Sequence, residues 1–191
     1  MMRITAMLVV AALALCACGC SPGVVEPTPD TQGGEPTPEE QKGLFGDFST
    51  TDLASGESVT GDILSDYDVT LIYMWETWCD VCVREMEELQ TVYERLGANV
   101  NILGLCFNAE RDEESALAMI EESGIEFMTL VGTYGLEDAA SGFLTGYPAA
   151  VAVDSAGNVI GEPYVNMGFA IEDVAAEYEA IIANSLAAIG E

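Results

Sequence analysis

The sequence predicts an α/β domain whose sheet is largely parallel and carries an antiparallel edge. Three observations support this. From residue 69 onward, apolar runs of strand length alternate with segments of helical period, the pattern of strands joined by helical crossovers. The run VTLIYMW, Val69–Trp75, is continuously apolar, as suits a strand buried on both faces. A terminal hairpin implies antiparallel pairing at an edge.

Each element has its own signal. FGDFSTTDLASGESVT, residues 45–60, alternates weakly and breaks at Gly56-Glu57, so it reads as a β-hairpin. After the strand Val69–Trp75, Cys82, Met86, Leu89, Tyr93 and Leu96 step by 4, 3, 4 and 3, one face of an amphipathic helix that Gly97 should end. Residues 100–107 (VNILGLCF) form a second apolar strand. Residues 111–123 read as a helix with Leu117 and Ile120 inward and Gly124 at its end. A short strand at 127–131, a helix at 136–144 and a strand at 149–153 follow. The turn SAGN, residues 155–158, leads into Val159-Ile160. Residues 171–188 close the chain as a helix with Val174, Tyr178, Ile181 and Ile182 on one face. There is no internal repeat.

The bulk properties exclude whole classes of function. The 191 residues are 50% hydrophobic, enough for one domain with a proper core. Asp and Glu number 33 against 5 Lys and Arg, a net charge of −28. Such a surface repels nucleic acid and anionic headgroups; its plain reading is solubility. There is no histidine, so no Ser-His-Asp or Cys-His nucleophile exists here, nor any metal site that needs imidazole.

The first 20 residues, MMRITAMLVVAALALCACGC, place Arg3 before an apolar run that ends in cysteines. The run is short for a membrane span and suits the h-region of a secretory signal. Its end resembles the bacterial lipoprotein signal, in which a Leu-x-Ala/Gly-Cys box is cut before a lipidated cysteine. Leu15-Cys16-Ala17-Cys18 favours Cys18; Ala17-Cys18-Gly19-Cys20 offers Cys20 instead. An ordinary signal peptide or a short anchor is the alternative. Each reading takes the protein out of the cytosol, and the lipoprotein reading tethers it to the outer face of the cell membrane. Residues 21–43 hold five of the seven prolines and read as an extended, disordered tether. The expected organisation is therefore a signal at 1–17, a lipidated tether at 18–43 and one domain at 44–191.

The chemistry centres on WETWCDVCVREM, residues 75–86. Cys79 falls where a strand ends and a helix begins. There the free N–H groups and positive dipole end of the helix stabilise a thiolate. Cys82, one turn along, faces the same side and can attack in turn, so thiol–disulfide exchange is the natural reaction. Two other readings stand beside it. Zinc would need four ligands, and Cys79, Cys82 and Cys106 supply three with no histidine to complete them. A purely structural disulfide would close so small a loop that it would stabilise little.

The stretch Met74-Trp-Glu-Thr-Trp-Cys-Asp-Val-Cys-Val-Arg-Glu-Met86 resembles the F-W-A-T-W-C-x-x-C-x-x-E-M/F-P signature. That signature belongs to the membrane-anchored, thioredoxin-like thiol–disulfide oxidoreductases of the TlpA/ResA type. Tyr147-Pro148, followed by AAVAVD and SAGN, resembles the cis-proline loop of the same family. The likeness runs from about Leu44 to the C-terminus. It implies a thioredoxin fold with an N-terminal β-hairpin and an inserted helix–strand element.

The resemblance also implies residue roles. Cys79 would be the exposed attacking thiol and Cys82 the buried resolving thiol. Trp75 and Trp78 would flank the site and, with Tyr147 and Pro148, contact substrate. Pro148 would be cis. Glu85 would tune the thiols or relay a proton, unless it is only a solvated helix carboxylate. The expected partners are protein disulfides or dithiols and a membrane electron donor; no cofactor and no metal are implied. A reductant is the favoured direction, and cytochrome c maturation is the role that the resemblance implies. A peroxiredoxin-like peroxidase and a redox-inactive binding module are the rivals. The peroxidase motif Pro-x-x-x-Thr-x-x-Cys is not met, since Thr77 lies one residue too close to Cys79.

The chain departs from the signature in four places. Glu87 stands where a helix-kinking proline is usual, which predicts a straighter helix. Glu76 replaces a small residue, and Asp80 lies inside the motif; both carboxylates oppose a thiolate at Cys79. Tyr147 is bulky, either narrowing substrate choice or simply packing. Cys106, a third thiol near the end of its strand, reads first as a core residue and second as a neighbour of Cys79.

Overall fold

The computed structural model describes residues 42–166 and 173–190. The signal at 1–17, the candidate lipidation sites Cys18 and Cys20, the tether up to residue 41 and the first two residues of the expected final helix lie outside the described residues.

Seven strands, four α-helices and one 3₁₀ helix are the elements of the described residues. β1 (Ser49–Thr51) and β2 (Ser58–Thr60) form the predicted hairpin, with Gly56 at φ 73° in its turn. A 3₁₀ helix, Gly61–Asp66, follows; its short polar sequence GDILSD carries no period that foretells it. Then come β3 (Val69–Trp75), α1 (Asp80–Tyr93), β4 (Val100–Cys106), α2 (Glu113–Ser123), β5 (Thr129–Val131), α3 (Tyr134–Ala140), β6 (Ala149–Asp154), β7 (Val159–Val165) and α4 (Val174–Ile189).

The main sheet has the order β5-β4-β3-β6-β7. β3, β4 and β5 run parallel; β6 and β7 run antiparallel to their neighbours. This is the thioredoxin-like α/β arrangement, with α2 and β5 as the inserted helix–strand element. The expectation of a largely parallel sheet is corrected at β6. Seven helical residues in α3 span only about 10 Å, too little to carry the chain back along a strand. The chain therefore stays at the end where β5 stops, and β6 starts opposite the end of β3, with Ala149 facing Met74. The N-terminal hairpin forms a separate two-stranded sheet, joined to β5 by a bridge between Asp52 and Leu130. Pro163 sits on β7, an edge strand, where a missing N–H costs no ladder bond.

Every residue of β3 is buried. Leu71, Tyr73 and Trp75 face one core with α1, α2 and α4; Ile72 and Met74 face the other, with the hairpin, the 3₁₀ helix and α3. A strand between two layers must be apolar on both faces, which explains the uninterrupted run.

Two helix details differ from expectation. α1 ends at Tyr93 with Glu94 as its C-cap, so Leu96 and Gly97 lie beyond it. The carbonyl of Gly97 instead accepts from Val100 N at 3.1 Å, turning the chain into β4. On α2 the inward face is Ala116, Met119, Ile120 and Ser123, while Leu117 is exposed. A short helix at the edge of a sheet buries a narrow stripe, and Leu117 falls outside it. Gly124, at φ 66°, caps α2 as predicted.

Candidate functional site

The C-terminal ends of the parallel strands gather the site. Trp75 ends β3 directly opposite Cys106 at the end of β4, and Cys106 lies opposite Val131 at the end of β5. The loop into α1, the loop after β4 and the Tyr147-Pro148 turn before β6 all emerge at this end. Such ends are where α/β sheets place their sites.

Cys79 is the N-cap of α1 and is bonded to Cys82, with Sγ–Sγ 2.01 Å and Cα–Cα 5.3 Å. No side chain caps this helix terminus. A cap typically contributes about 1 kcal/mol. Burial of Met86, Leu89 and Val92 on α1 outweighs that, at roughly 1.5–3 kcal/mol for each large apolar side chain. The helix therefore forms without a cap, and its first N–H groups stay clear of side-chain partners beside Cys79.

Cys79 is only 4% exposed in the disulfide form and Cys82 is 0% exposed. The expectation of an exposed thiol at Cys79 is thus corrected: in the disulfide both cysteines are buried. Trp75 is also corrected. It is fully buried beneath β3's end and cannot touch a substrate chain. Trp78 can, at 65% exposure. Its indole N–H donates to Oε2 of Glu76, and its ring meets Tyr147 edge-on at 5.8 Å. Tyr147 also packs on Phe107 at 6.1 Å. Burial and the neighbouring Glu76 carboxylate push its phenol upward, so it stays neutral. The Tyr147–Pro148 peptide is cis, as the resemblance implied.

The loop before Cys79 is held by residues the sequence did not point to. Asn108 accepts from Thr77 N at 3.0 Å and donates to Thr77 Oγ1 at 2.7 Å. Thr77 Oγ1 in turn donates to Asp112 Oδ2 at 2.7 Å. That bond, with one from Ser115, keeps the Asp112 carboxyl below its ordinary range. Asn108 belongs to the loop after β4, and no local pattern marks it. Cys106 Sγ lies 3.4 Å from Asn108 Oδ1. It is a free, fully buried thiol, and burial pushes its pKa up to about 12. The first expectation for Cys106 holds: it is a core residue, and it touches Asn108, which holds the loop before Cys79.

Behind the disulfide lies a buried polar cluster. Glu85 is 2% exposed, so it is not a solvated helix carboxylate. Its Oε2 accepts from Tyr178 Oη at 2.6 Å, and its Oε1 accepts from Asn166 Nδ2. Burial raises the Glu85 pKa, and the two donors oppose that rise. Tyr73 Oη donates to the carbonyl of Cys82 at 3.0 Å. Tyr178 packs edge-on against both Tyr73 and Tyr164, at 6.1 and 5.4 Å. Sequence periodicity marked Tyr178 as a core residue of α4; its hydroxyl's role was not legible. Among the described residues, no three Cys, Asp or Glu side chains converge as a metal site.

The AhpC/TSA family model matches residues 44–161. No curated protein sequence matches significantly. Several solved structures share the fold. A secreted Mycobacterium tuberculosis disulfide oxidoreductase, homologous to E. coli DsbE, aligns over 73% of this chain and 96% of its own, with 21% identity and a TM-score of 0.57. A thiol:disulfide interchange protein of the thioredoxin family from Chlorobium tepidum aligns over 76% and 97%, with 19% identity and a TM-score of 0.62. A DsbF homologue from Corynebacterium diphtheriae aligns over 80% and 95%, with 18% identity and a TM-score of 0.60.

Proposed function

The chain belongs to the AhpC/TSA family, and from that premise we propose that it exchanges thiols and disulfides outside the cytoplasm through Cys79 and Cys82. The observation that carries the reading is the disulfide itself. It joins the N-cap of α1 to a residue one turn along, and Trp78, next to Cys79 in the chain, packs edge-on against Tyr147.

The proposed direction is reduction. The Cys79 thiolate attacks one sulfur of a substrate disulfide, and the other substrate sulfur leaves as a thiolate. Cys82, having lost its proton, then attacks Cys79 Sγ. The mixed disulfide breaks, the second substrate thiolate departs, and the protein is left with the Cys79–Cys82 disulfide. Two electrons have passed to the substrate. A membrane electron donor would restore the dithiol. The leader and its cysteines support an anchored position at the outer face of the cell membrane, and the TlpA/ResA-type signature supports the reducing role, with apocytochromes c among the substrates.

The deciding measurement is the reduction potential of Cys79–Cys82 in defined thiol buffers. The expected value lies near thioredoxin's, about −270 mV. A value near about −120 mV would instead make the protein a disulfide donor. The family name favours a second reading, a peroxidase. Against it, the Thr77 hydroxyl is already engaged by Asp112 and Asn108. Consumption of hydrogen peroxide at the rate of disulfide reduction would establish that reading. Absence of any two-electron transition would leave a binding module.

A further inference from the structure

Two bonds of Asn166 run in opposite directions. Its backbone N–H donates to the carbonyl of Pro148 at 2.9 Å. Its side-chain Nδ2 donates to Oε1 of Glu85, three residues after Cys82 on α1. The residue is 4% exposed, so water competes for neither bond. The second oxygen of Glu85 accepts from Tyr178 of α4 at 2.6 Å.

We propose that Asn166 is a positioning residue that ties the Glu85 carboxylate to the Tyr147-Pro148 turn, its side chain orienting the carboxylate while its backbone N–H seats the loop that receives a substrate chain. This rests on the thiol–disulfide reading of the same site.

The chemistry of the donors supports the role. An amide NH₂ can only donate, so Asn166 favours the ionised carboxylate over the acid. An ionised Glu85 can accept the proton that Cys82 must lose before it attacks Cys79 Sγ. The proton moves from Cys82 to the Glu85 carboxylate, the Cys82–Cys79 bond forms, and the substrate thiolate leaves. Among the described residues, the other titratable groups packed here are Tyr73 of β3, Tyr164 of β7 and Tyr178 of α4, with Glu177 of α4 acting on Tyr164. Burial pushes all three phenols above their ordinary range. Glu85 is therefore the group of this cluster that changes charge below the tyrosine range.

The test uses the full-length chain, recharged with dithiothreitol, and a synthetic peptide holding one disulfide. kcat and KM are measured across pH for the wild type, Asn166→Ala, Asn166→Asp and Tyr178→Phe. The wild-type kcat should rise through one ionisation. Asn166→Ala should move that break up by roughly one to two pH units, the effect of one lost hydrogen bond to a charged group. It should also raise KM several-fold, because the backbone N–H that holds the Pro148 carbonyl loses the side chain's anchor on Glu85. Tyr178→Phe should move the break alike and leave KM unchanged, since it does not reach the turn. Asn166→Asp is isosteric and carries the test if the alanine variant misfolds; its added negative charge should move the break further still. An unshifted break with unchanged KM in the Asn166 variants overturns the inference, as does a wild-type profile with no break. Cys79→Ser separates the two ideas. If it keeps turnover, the exchange reading itself fails; if it is inactive while the Asn166 variants behave as wild type, only the role of Asn166 fails.

Discussion

Tyr178 Oη donates to Glu85 Oε2 at 2.6 Å, across 93 residues of sequence. The pair joins the last helix to the helix that carries the disulfide. Glu85 is buried at 2% exposure, so its charge depends on this donor and on Asn166.

The first expectation is a stability profile. Burial raises the folded pKa of Glu85 above its ordinary 4.5. The folded state therefore holds the proton more tightly than the unfolded chain. The resulting stabilisation is complete below the unfolded pKa and is lost as pH rises through the folded one. Glu85→Gln should remove that falling limb. Denaturant unfolding of both proteins at a series of pH values above 4.5 checks it: their difference should change with pH and then level off.

Asn108 should matter to the loop it holds. Asn108→Ala removes two bonds to Thr77 and the contact with Cys106. At about 0.5–1.5 kcal/mol per net hydrogen bond, the cost should be roughly 1–3 kcal/mol. Hydrogen exchange at the Thr77 amide should accelerate, whereas exchange in the centre of β3 should not.

Removing charge beside Cys79 should favour its thiolate. In the reduced protein, Glu76→Gln should lower the pH at which Cys79 becomes reactive, by up to about one unit. The same change weakens the acceptor for the Trp78 indole. Alkylation rates of Cys79 across pH, with the site identified by mass, give the shift; a rise would contradict the expected sign.

Cys106 should resist labelling. The thiol is fully buried and its pKa is pushed up to about 12, so thiolate is scarce at pH 8 and out of reach. Alkylation followed by peptide mapping should find it unmodified in the native protein and modified after denaturation. Prompt native labelling would mean the loop after β4 opens readily.

The face of α2 can be checked at two adjacent residues. Leu117→Glu should change stability by no more than about 0.5 kcal/mol, because the side chain is exposed. Ala116→Leu should cost roughly 1–3 kcal/mol by overpacking a fully buried position. Thermal or denaturant unfolding of the two variants compares them directly.

The sequence by itself determined the elements and the reactive pair. Val69–Trp75 is apolar throughout because it lies between two layers, and the Cys79–Cys82 spacing follows from one turn of α1. Those features are local, written in period and in neighbouring residues. The tertiary structure decided what distant residues do to one another. β6 runs antiparallel because α3 is too short to return the chain, and a helical period does not state its own reach. Trp75 reads as a flank of the site but is sealed beneath it, since burial depends on the layers above a strand. Asn108, Asn166 and Tyr178 carry no motif. They became site residues only when the sheet brought the end of β4, the end of β7 and the start of α4 around one disulfide. A hydrogen bond needs its partners within about 3 Å, and only the packed chain brings residues so far apart in sequence that close.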